Sequence, residues 1–153
     1  MLASVFTAVC LAVGVTDGDT IKARCGQPGA YEQVTVRFGG IDAPEQKQAF
    51  GQRAKQALSD LVYMKPVKLD CYKQDRYQRH VCNVSTDAAG DVGEAMLRLG
   101  MAWWYRHYSN EQTPAARVAY EKAEGDARAA WRGLWSDPHA QAPWEWRRVQ
   151  RGG

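Results

Sequence analysis

Three short stretches combine charged side chains with turn-forming residues in a way that suits chemistry on a phosphate ester. The first is Asp17-Gly18-Asp19-Thr20. Asp and Gly favour hairpin turns for local reasons, and taken alone this stretch reads first as a turn. A carboxylate fixed at such a turn also suits a hard cation, which takes oxygen ligands. The second stretch runs Arg37-Phe38-Gly39-Gly40-Ile41-Asp42-Ala43-Pro44-Glu45. A strand end and a Gly-Gly turn account for its glycines. They do not account for an arginine, an aspartate and a glutamate gathered around a fixed proline. Phosphodiester hydrolysis needs that set: carboxylates that hold a metal, a guanidinium that stabilises charge on the phosphate oxygens, and a carboxylate that activates water. The third stretch is Asp75-Arg76-Tyr77-Gln78-Arg79. A basic hairpin turn is most often simply solvated. Arg79 can instead serve as a second guanidinium on the same phosphate, because its planar fork donates two hydrogen bonds at once.

These side chains need a frame, and the hydrophobic pattern supplies one. Residues 5–15 alternate as a strand, through Thr7, Val9, Leu11, Val13 and Val15. The segment Met1 to Thr16 carries no charge, but no Lys or Arg precedes it, so it reads as a first strand rather than a signal-peptide core. Ile21 to Cys25 returns as a second strand after the turn, and Tyr31 to Phe38 follows as a third, with Arg37 opposite Val34, Val36 and Phe38. Phe50, Ala54, Leu58 and Leu61 recur at helical spacing, predicting a helix over 49–63. Val67 to Tyr72 and His80 to Val84 form a hairpin around the third charged stretch. Asp91 caps a short helix ending at Gly100. Thr113-Pro114 opens a last helix whose buried stripe is Tyr120, Ala123, Ala127, Ala130 and Trp131, with Gly133 as its end. The tail, 136–153, is rich in Pro, Trp and Arg and is expected to be irregular. The expected fold is therefore α+β: a five-stranded OB-type β-barrel with three packed helices, in one domain over 1–153.

Composition sets the outer limits. A chain of 153 residues with 45% hydrophobic and 24% charged residues can bury one core and is not of disordered composition. A net charge of +3 permits a polyanionic partner without requiring one. Four cysteines without a CxxC pair, and three histidines, argue against a structural zinc site. No stretch reaches the ~18 apolar residues of a membrane span.

In this order and spacing, the three stretches resemble the staphylococcal nuclease-like family, the thermonucleases or micrococcal nucleases. Val15 to Ile21, Arg37 to Glu45 and Asp75 to Arg79 match its three motifs. Gly100-Met101-Ala102-Trp103 and Gly133-Leu134-Trp135 match structural signatures further on, so the resemblance covers nearly the whole chain. It implies a calcium-dependent nuclease acting on DNA or RNA to give 3′-phosphorylated products. It assigns Asp19, Asp42 and the backbone carbonyl of Ala43 to the cation, and Arg37 and Arg79 to the scissile phosphate. Glu45 orients or deprotonates the attacking water. Arg76 and Tyr77 match positions near the substrate's terminal phosphate, and Tyr105 or Tyr108 fills a nucleotide-contacting role. Gln78 stands where a glycine is common in the family. If that backbone is left-handed, Gln costs roughly 1–2 kcal/mol there.

Outside the motifs, Trp103 and Trp104 read as core, whereas Trp144-Glu145-Trp146-Arg147-Arg148 either packs the tail or adds a phosphate contact. Cys71 and Cys82 flank one hairpin turn, and Cys10 and Cys25 flank the other. Such positions become cross-strand neighbours within disulfide reach. Two disulfides in turn predict a secreted or periplasmic protein. Four free thiols in a cytosolic protein is the alternative. For function, the alternatives to a nuclease are an OB-fold binding module without catalysis and a phosphodiesterase acting on a smaller ester. A binding module has no need of Glu45 or of two metal carboxylates. Nothing in the sequence signals an oligomer, so a monomer is expected.

Overall fold

The computed structural model describes residues 2–152. Two hairpins come first in the chain. β1 (Phe6–Asp17) pairs antiparallel with β2 (Thr20–Cys25), and β2 with β3 (Glu32–Phe38). A two-residue strand β4 (Ile41–Asp42) and helix α1 (Gly51–Val62) follow. β5 (Pro66–Gln74) lies on the free side of β1, and β6 (His80–Thr86) pairs with β5. β6 also runs parallel to β3, matching Val36 with His80 and Phe38 with Cys82. That last pairing closes the sheet, in the order β1-β2-β3-β6-β5 and back to β1. The result is the expected five-stranded barrel. Closure leaves the five strands no unpaired edge. Irregular register in β1 between Ala12 and Gly14, and again between Val15 and Asp17, bends that long strand around the barrel.

The remaining elements follow β6 in the chain. They are β7 (Gly90–Asp91), α2 (Val92–Arg98), β8 (Trp103–Trp104), a 3-10 turn at Arg106–Glu111, α3 (Pro114–Ala129), a second 3-10 turn at Gly133–Ser136, and α4 (Pro143–Gly152). Ile21, Val36, Phe38, Leu69 and Val84 from the barrel meet Leu58 and Val62 of α1 and Met96 and Leu97 of α2 in one buried core. Each such large side chain contributes roughly 1.5–3 kcal/mol by leaving water. The helix starts follow local rules. The Asp91 carboxylate accepts the Glu94 N–H at 2.9 Å, and the Thr113 hydroxyl accepts the Ala116 N–H at 3.1 Å, just ahead of Pro114. Asp91 also accepts the Tyr120 hydroxyl at 2.8 Å, which ties α3 to the start of α2. α2 ends at Gly100, whose φ of 72° suits glycine, with the Met101 N–H returning to the Met96 carbonyl.

Both cysteine pairs are joined, Cys10 to Cys25 and Cys71 to Cys82, with Cα separations of 4.6 and 3.9 Å. Cys71 and Cys82 stand directly opposite in the β5–β6 register.

Two expectations need correction, and the facing of β1 is a finding beside them. The segment that alternates through Val9 is a strand, and its inward face is Cys10 and Ala12; Val9 is 70% exposed, and the Cys10–Cys25 bridge fixes that facing. α3 stops at Ala129, short of Gly133, and its stripe is Tyr120, Ala123 and Ala127. Ala130 and Trp131 are exposed, because Trp131 takes a left-handed φ of 56° and the Arg132 N–H closes onto the Ala127 carbonyl. That is a glycine-type helix ending made with tryptophan. Finally, the tail is not irregular throughout. It contains a fourth helix, α4, with Pro143 in its first turn, Glu145 near its start and Arg151 near its end, the charge order that a helix dipole favours.

Candidate active site

The turn between β1 and β2, the end of β3 and the short strand β4 converge at one mouth of the barrel. There they line a cleft of about 690 Å³. Asp19, in the turn just before β2, is 5% exposed. Its carboxylate accepts the Thr20 hydroxyl at 2.9 Å and the Ala43 N–H at 2.8 Å. Gly18 makes this approach feasible: a Cβ there would sit 2.8 Å from the Cβ atoms of Ala43 and Ala54. Register places Thr20 opposite Arg37. The Arg37 guanidinium donates from Nη1 to the carbonyls of Phe38 at 2.6 Å and Ile41 at 2.9 Å. Its Nη2 lies 3.5 Å from Asp19 and 3.4 Å from Asp42. One arginine therefore braces the loop that carries Asp42 and faces both carboxylates. Asp42 is 1% exposed, in β4, which pairs with β8.

The loop between Arg37 and Asp42 is tightly seated. A Cβ on Gly39 would overlap the Tyr72 hydroxyl, and Gly40 has φ 83° against Gln112 and Tyr120. Glu45 follows Pro44 at the cleft rim. Its N–H donates to the Gln48 side chain at 3.1 Å, and Gln48 in turn donates to the Gln141 carbonyl at 2.6 Å. The segment before α1 is thereby tied to the segment before α4.

The β5–β6 turn brings the third motif to the same cleft. Asp75 organises it, accepting the N–H groups of Tyr77 at 2.9 Å and Arg79 at 3.0 Å, and the Arg79 Nε at 2.7 Å. These bonds outweigh the opposing effect of partial burial and hold the Asp75 carboxyl below its ordinary value. Arg76 and Arg79 both lie over the Tyr77 ring, at 4.9 and 5.4 Å. Tyr105 and Tyr108 form the far wall, edge to face at 5.3 Å, and the Lys73 ammonium lies 4.6 Å from the Tyr108 ring. Arg37, Asp19, Asp42, Glu45, Arg76, Tyr77, Arg79, Tyr105 and Tyr108 all line this one cleft; Ala43 meets it through Asp19.

The cleft is also lined by groups that the three motifs do not supply, Lys73, Glu111, Trp144, Arg147 and Arg151, and by Asp17; of these, Trp144 and Arg147 belong to the stretch left open between tail packing and a phosphate contact. Asp17 sits inside the first motif, but only the folded turn shows its carboxylate beside Asp19. Arg147 comes from α4. Its guanidinium donates to Asp42 at 3.2 and 2.7 Å and to Glu45 at 2.7 Å. The helical spacing of Trp144, Arg147 and Arg151, which all line the cleft, was the available signal.

The site is crowded with negative charge. Burial and the adjacent Asp19 charge push Asp17 up to about 8. Burial and Asp19 likewise push Asp42 up, against the pull of Arg147 and Arg37. Asp19 moves the other way: despite burial, Arg37 and its hydrogen bonds hold it low. Burial opposes the charge on Arg37, but Asp19, Asp42 and Asp17 outweigh it and raise its value.

The donor set fits a hard divalent cation. Two buried carboxylates, Asp19 and Asp42, with Asp17 beside Asp19 and raised by burial and by the Asp19 charge, form an oxygen-only, electronegative corner. Among the described residues no three His, Cys, Asp or Glu side chains are grouped closely enough to hold a metal ion by themselves. Such a cation would therefore take part of its shell from backbone, water or substrate oxygens. Neither histidine nor cysteine lines the cleft, which disfavours zinc.

Comparison with known proteins identifies the family. A family model described as staphylococcal nuclease homologue matches residues 35–137. A micrococcal nuclease of Shigella flexneri is 40% identical over 147 residues, covering 91% of this chain and 80% of the relative. An uncharacterized endonuclease of Haemophilus influenzae is 39% identical over 142 residues, covering 93% and 74%. A staphylococcal-like nuclease of Arabidopsis thaliana is 37% identical over 122 residues, covering 80% of this chain and 36% of the plant protein.

Proposed function

The chain belongs to the staphylococcal nuclease homologue family and is a nuclease; from that premise we propose that it is a calcium-dependent phosphodiesterase that cuts DNA or RNA to 3′-phosphorylated products. The observation that carries the reading is the convergence of Asp19, Asp42, Arg37, Glu45 and Arg79 on a single cleft. A module that only binds nucleic acid gains nothing from two buried carboxylates facing its ligand's phosphates.

Asp19, Asp42 and the Ala43 carbonyl would hold the cation. When bound, calcium supplies positive charge that polarises the phosphate and offsets the charge growing on its oxygens. The remaining work falls to side chains. Arg37 and Arg79 donate to the non-bridging oxygens, with Arg37 preset by its two carbonyl bonds and Arg79 by Asp75. Glu45 orients the attacking water or takes its proton. The bond from phosphorus to the 5′ oxygen breaks, leaving phosphate on the 3′ side. Arg76, Tyr77, Tyr105 and Tyr108 extend the contact along the strand, through charge and stacking. The disulfides favour an oxidising compartment, secreted or periplasmic, and the segment 1–153 acts as one monomeric domain.

End analysis of digested oligonucleotides tests this reading. Fragments bearing 3′-phosphate and 5′-hydroxyl are expected with calcium, and 5′-phosphate ends would rule out the proposed bond cleavage.

A further inference from the structure

The ion pairs made by α4 go beyond this reading while resting on its assignment of Asp42 as a cation ligand. Arg147 spans both oxygens of Asp42, with Nη1 at 3.2 Å from Oδ1 and Nη2 at 2.7 Å from Oδ2. Nη1 also reaches Glu45 Oε1 at 2.7 Å. Arg37 already lies 3.4 Å from Oδ1 of Asp42. Between them, the two guanidiniums cover the carboxylate edges through which a cation would be held. The Asp42 side chain is 1% exposed, so its pairs with Arg37 and Arg147 are weakened by water less than the Arg147–Glu45 pair, whose two side chains are both about one-third exposed.

The same contact changes what Glu45 can do. An oxygen accepting from a guanidinium at 2.7 Å is not free to accept from a water in the same direction. The arrangement is therefore a resting one for both residues.

α4 holds Arg147 in place through few contacts. Trp144, one turn before it, stacks on Tyr105 with ring centroids 5.4 Å apart and planes at 18°, and meets Trp103 edge-on at 5.6 Å. Pro143 is the one buried residue of the helix among those described. Trp144 and Trp146 are only half-buried, and an element held by a ring stack, ion pairs and partly buried rings belongs to the less stable part of a fold. Among the described residues, α4 contributes no strand to the barrel and no residue to the main buried core.

We propose that α4 is an internal counter-ion arm, whose Arg147 occupies Asp42 and Glu45 and is exchanged for the divalent cation. Docking of the helix and binding of the cation then oppose each other. Linkage makes the effect reciprocal: the helix weakens cation binding by the factor by which the cation weakens helix docking.

Calcium titration by calorimetry, on the full chain, tests the arm through binding rather than through activity. The variants are Arg147→Ala, Arg147→Lys, Arg148→Ala and Asp42→Ala. Arg147→Ala is expected to tighten calcium binding roughly 5- to 150-fold, the usual range of such coupling. Arg147→Lys, which keeps the charge but loses the two-pronged contact, falls between it and the wild type. Arg148→Ala removes an equal charge from the exposed side of the same helix and leaves affinity nearly unchanged, because exposed charges are screened. In a second measurement, calcium is expected to speed amide hydrogen exchange across 144–150 in the wild type. Unchanged or weaker calcium binding in Arg147→Ala, an equal gain in Arg148→Ala, or slower exchange of α4 with calcium would overturn the arm. Asp42→Ala separates the two readings. If it keeps wild-type calcium affinity, or if no variant binds calcium, the ligand assignment fails and the arm with it. If it alone loses binding while Arg147→Ala changes nothing, only the arm fails.

Discussion

Gln78 offers a clean test of the account of the Arg79 turn. It is exposed and has a φ of 63°, a left-handed conformation that costs an ordinary residue about 1–2 kcal/mol. Its N–H donates to the Asp75 carbonyl at 3.0 Å, so the conformation is part of the loop that presents Arg79. Glycine at this position removes the Cβ penalty and keeps that bond. Against this stands the greater freedom of glycine in the unfolded chain, worth about 0.4–1 kcal/mol. The difference, between about 0 and 1.6 kcal/mol, predicts that Gln78→Gly stabilises the protein by about 1 kcal/mol. Urea denaturation measures this directly, as a higher midpoint at unchanged slope. Gln78→Ala is the control, since it keeps the Cβ and should gain nothing. Cleavage of DNA by Gln78→Gly should stay near the wild-type rate, because Asp75 still fixes Arg79. A destabilised glycine variant, or an alanine variant stabilised equally, would refute the reasoning.

Other expectations follow from the same contacts. Arg37→Lys cannot keep both carbonyl bonds and still face the two carboxylates; unmet buried carbonyls predict a loss of about 1–3 kcal/mol in stability by thermal or urea unfolding. Its kcat/KM should fall by about 100-fold or more on a defined oligonucleotide. Asp75→Asn should destabilise the protein at pH 7 by less than about 1 kcal/mol, because the pair is partly exposed. Since the folded carboxyl titrates below its ordinary 3.8, its contribution is present above that pH and disappears as pH falls through the lower folded value. Denaturation curves at pH 7 and in strong acid should therefore show the variant's deficit closing in acid. The disulfides close loops with sequence separations of 15 and 11 residues. Replacing either pair by Ala should cost about 2–5 kcal/mol, measured by unfolding.

The main features of the site were legible in the sequence because each has a local chemical signature. Asp17-Gly18-Asp19-Thr20 is both a turn and a carboxylate pair, and Arg37 to Glu45 concentrates charge around glycines and a proline. The cysteines were legible because hairpin symmetry converts sequence distance into cross-strand distance. α4 was not legible. Its cleft-facing residues are Trp144, Arg147 and Arg151, a mixed aromatic and cationic face, and hydrophobic periodicity does not register such a face. The end of α3 was missed for another reason. Trp131 continues the apolar spacing of the helix, yet it occupies the left-handed position where glycine is usual. Glu124 went unseen as well. It is 1% exposed on α3 and accepts the Trp104 N–H at 2.7 Å, bracing the strand that pairs with β4 and Asp42. Only tertiary contact distinguishes it from the solvated glutamates around it.

The most direct test of a metal-dependent cleavage site is digestion of single-stranded DNA, double-stranded DNA and RNA, with calcium or with chelator, by the wild type and by Glu45→Gln. The account predicts cutting only with calcium, and a fall of about 100- to 10,000-fold in kcat for Glu45→Gln with binding retained. Cutting that persists in chelator, or that Glu45→Gln leaves untouched, would contradict it.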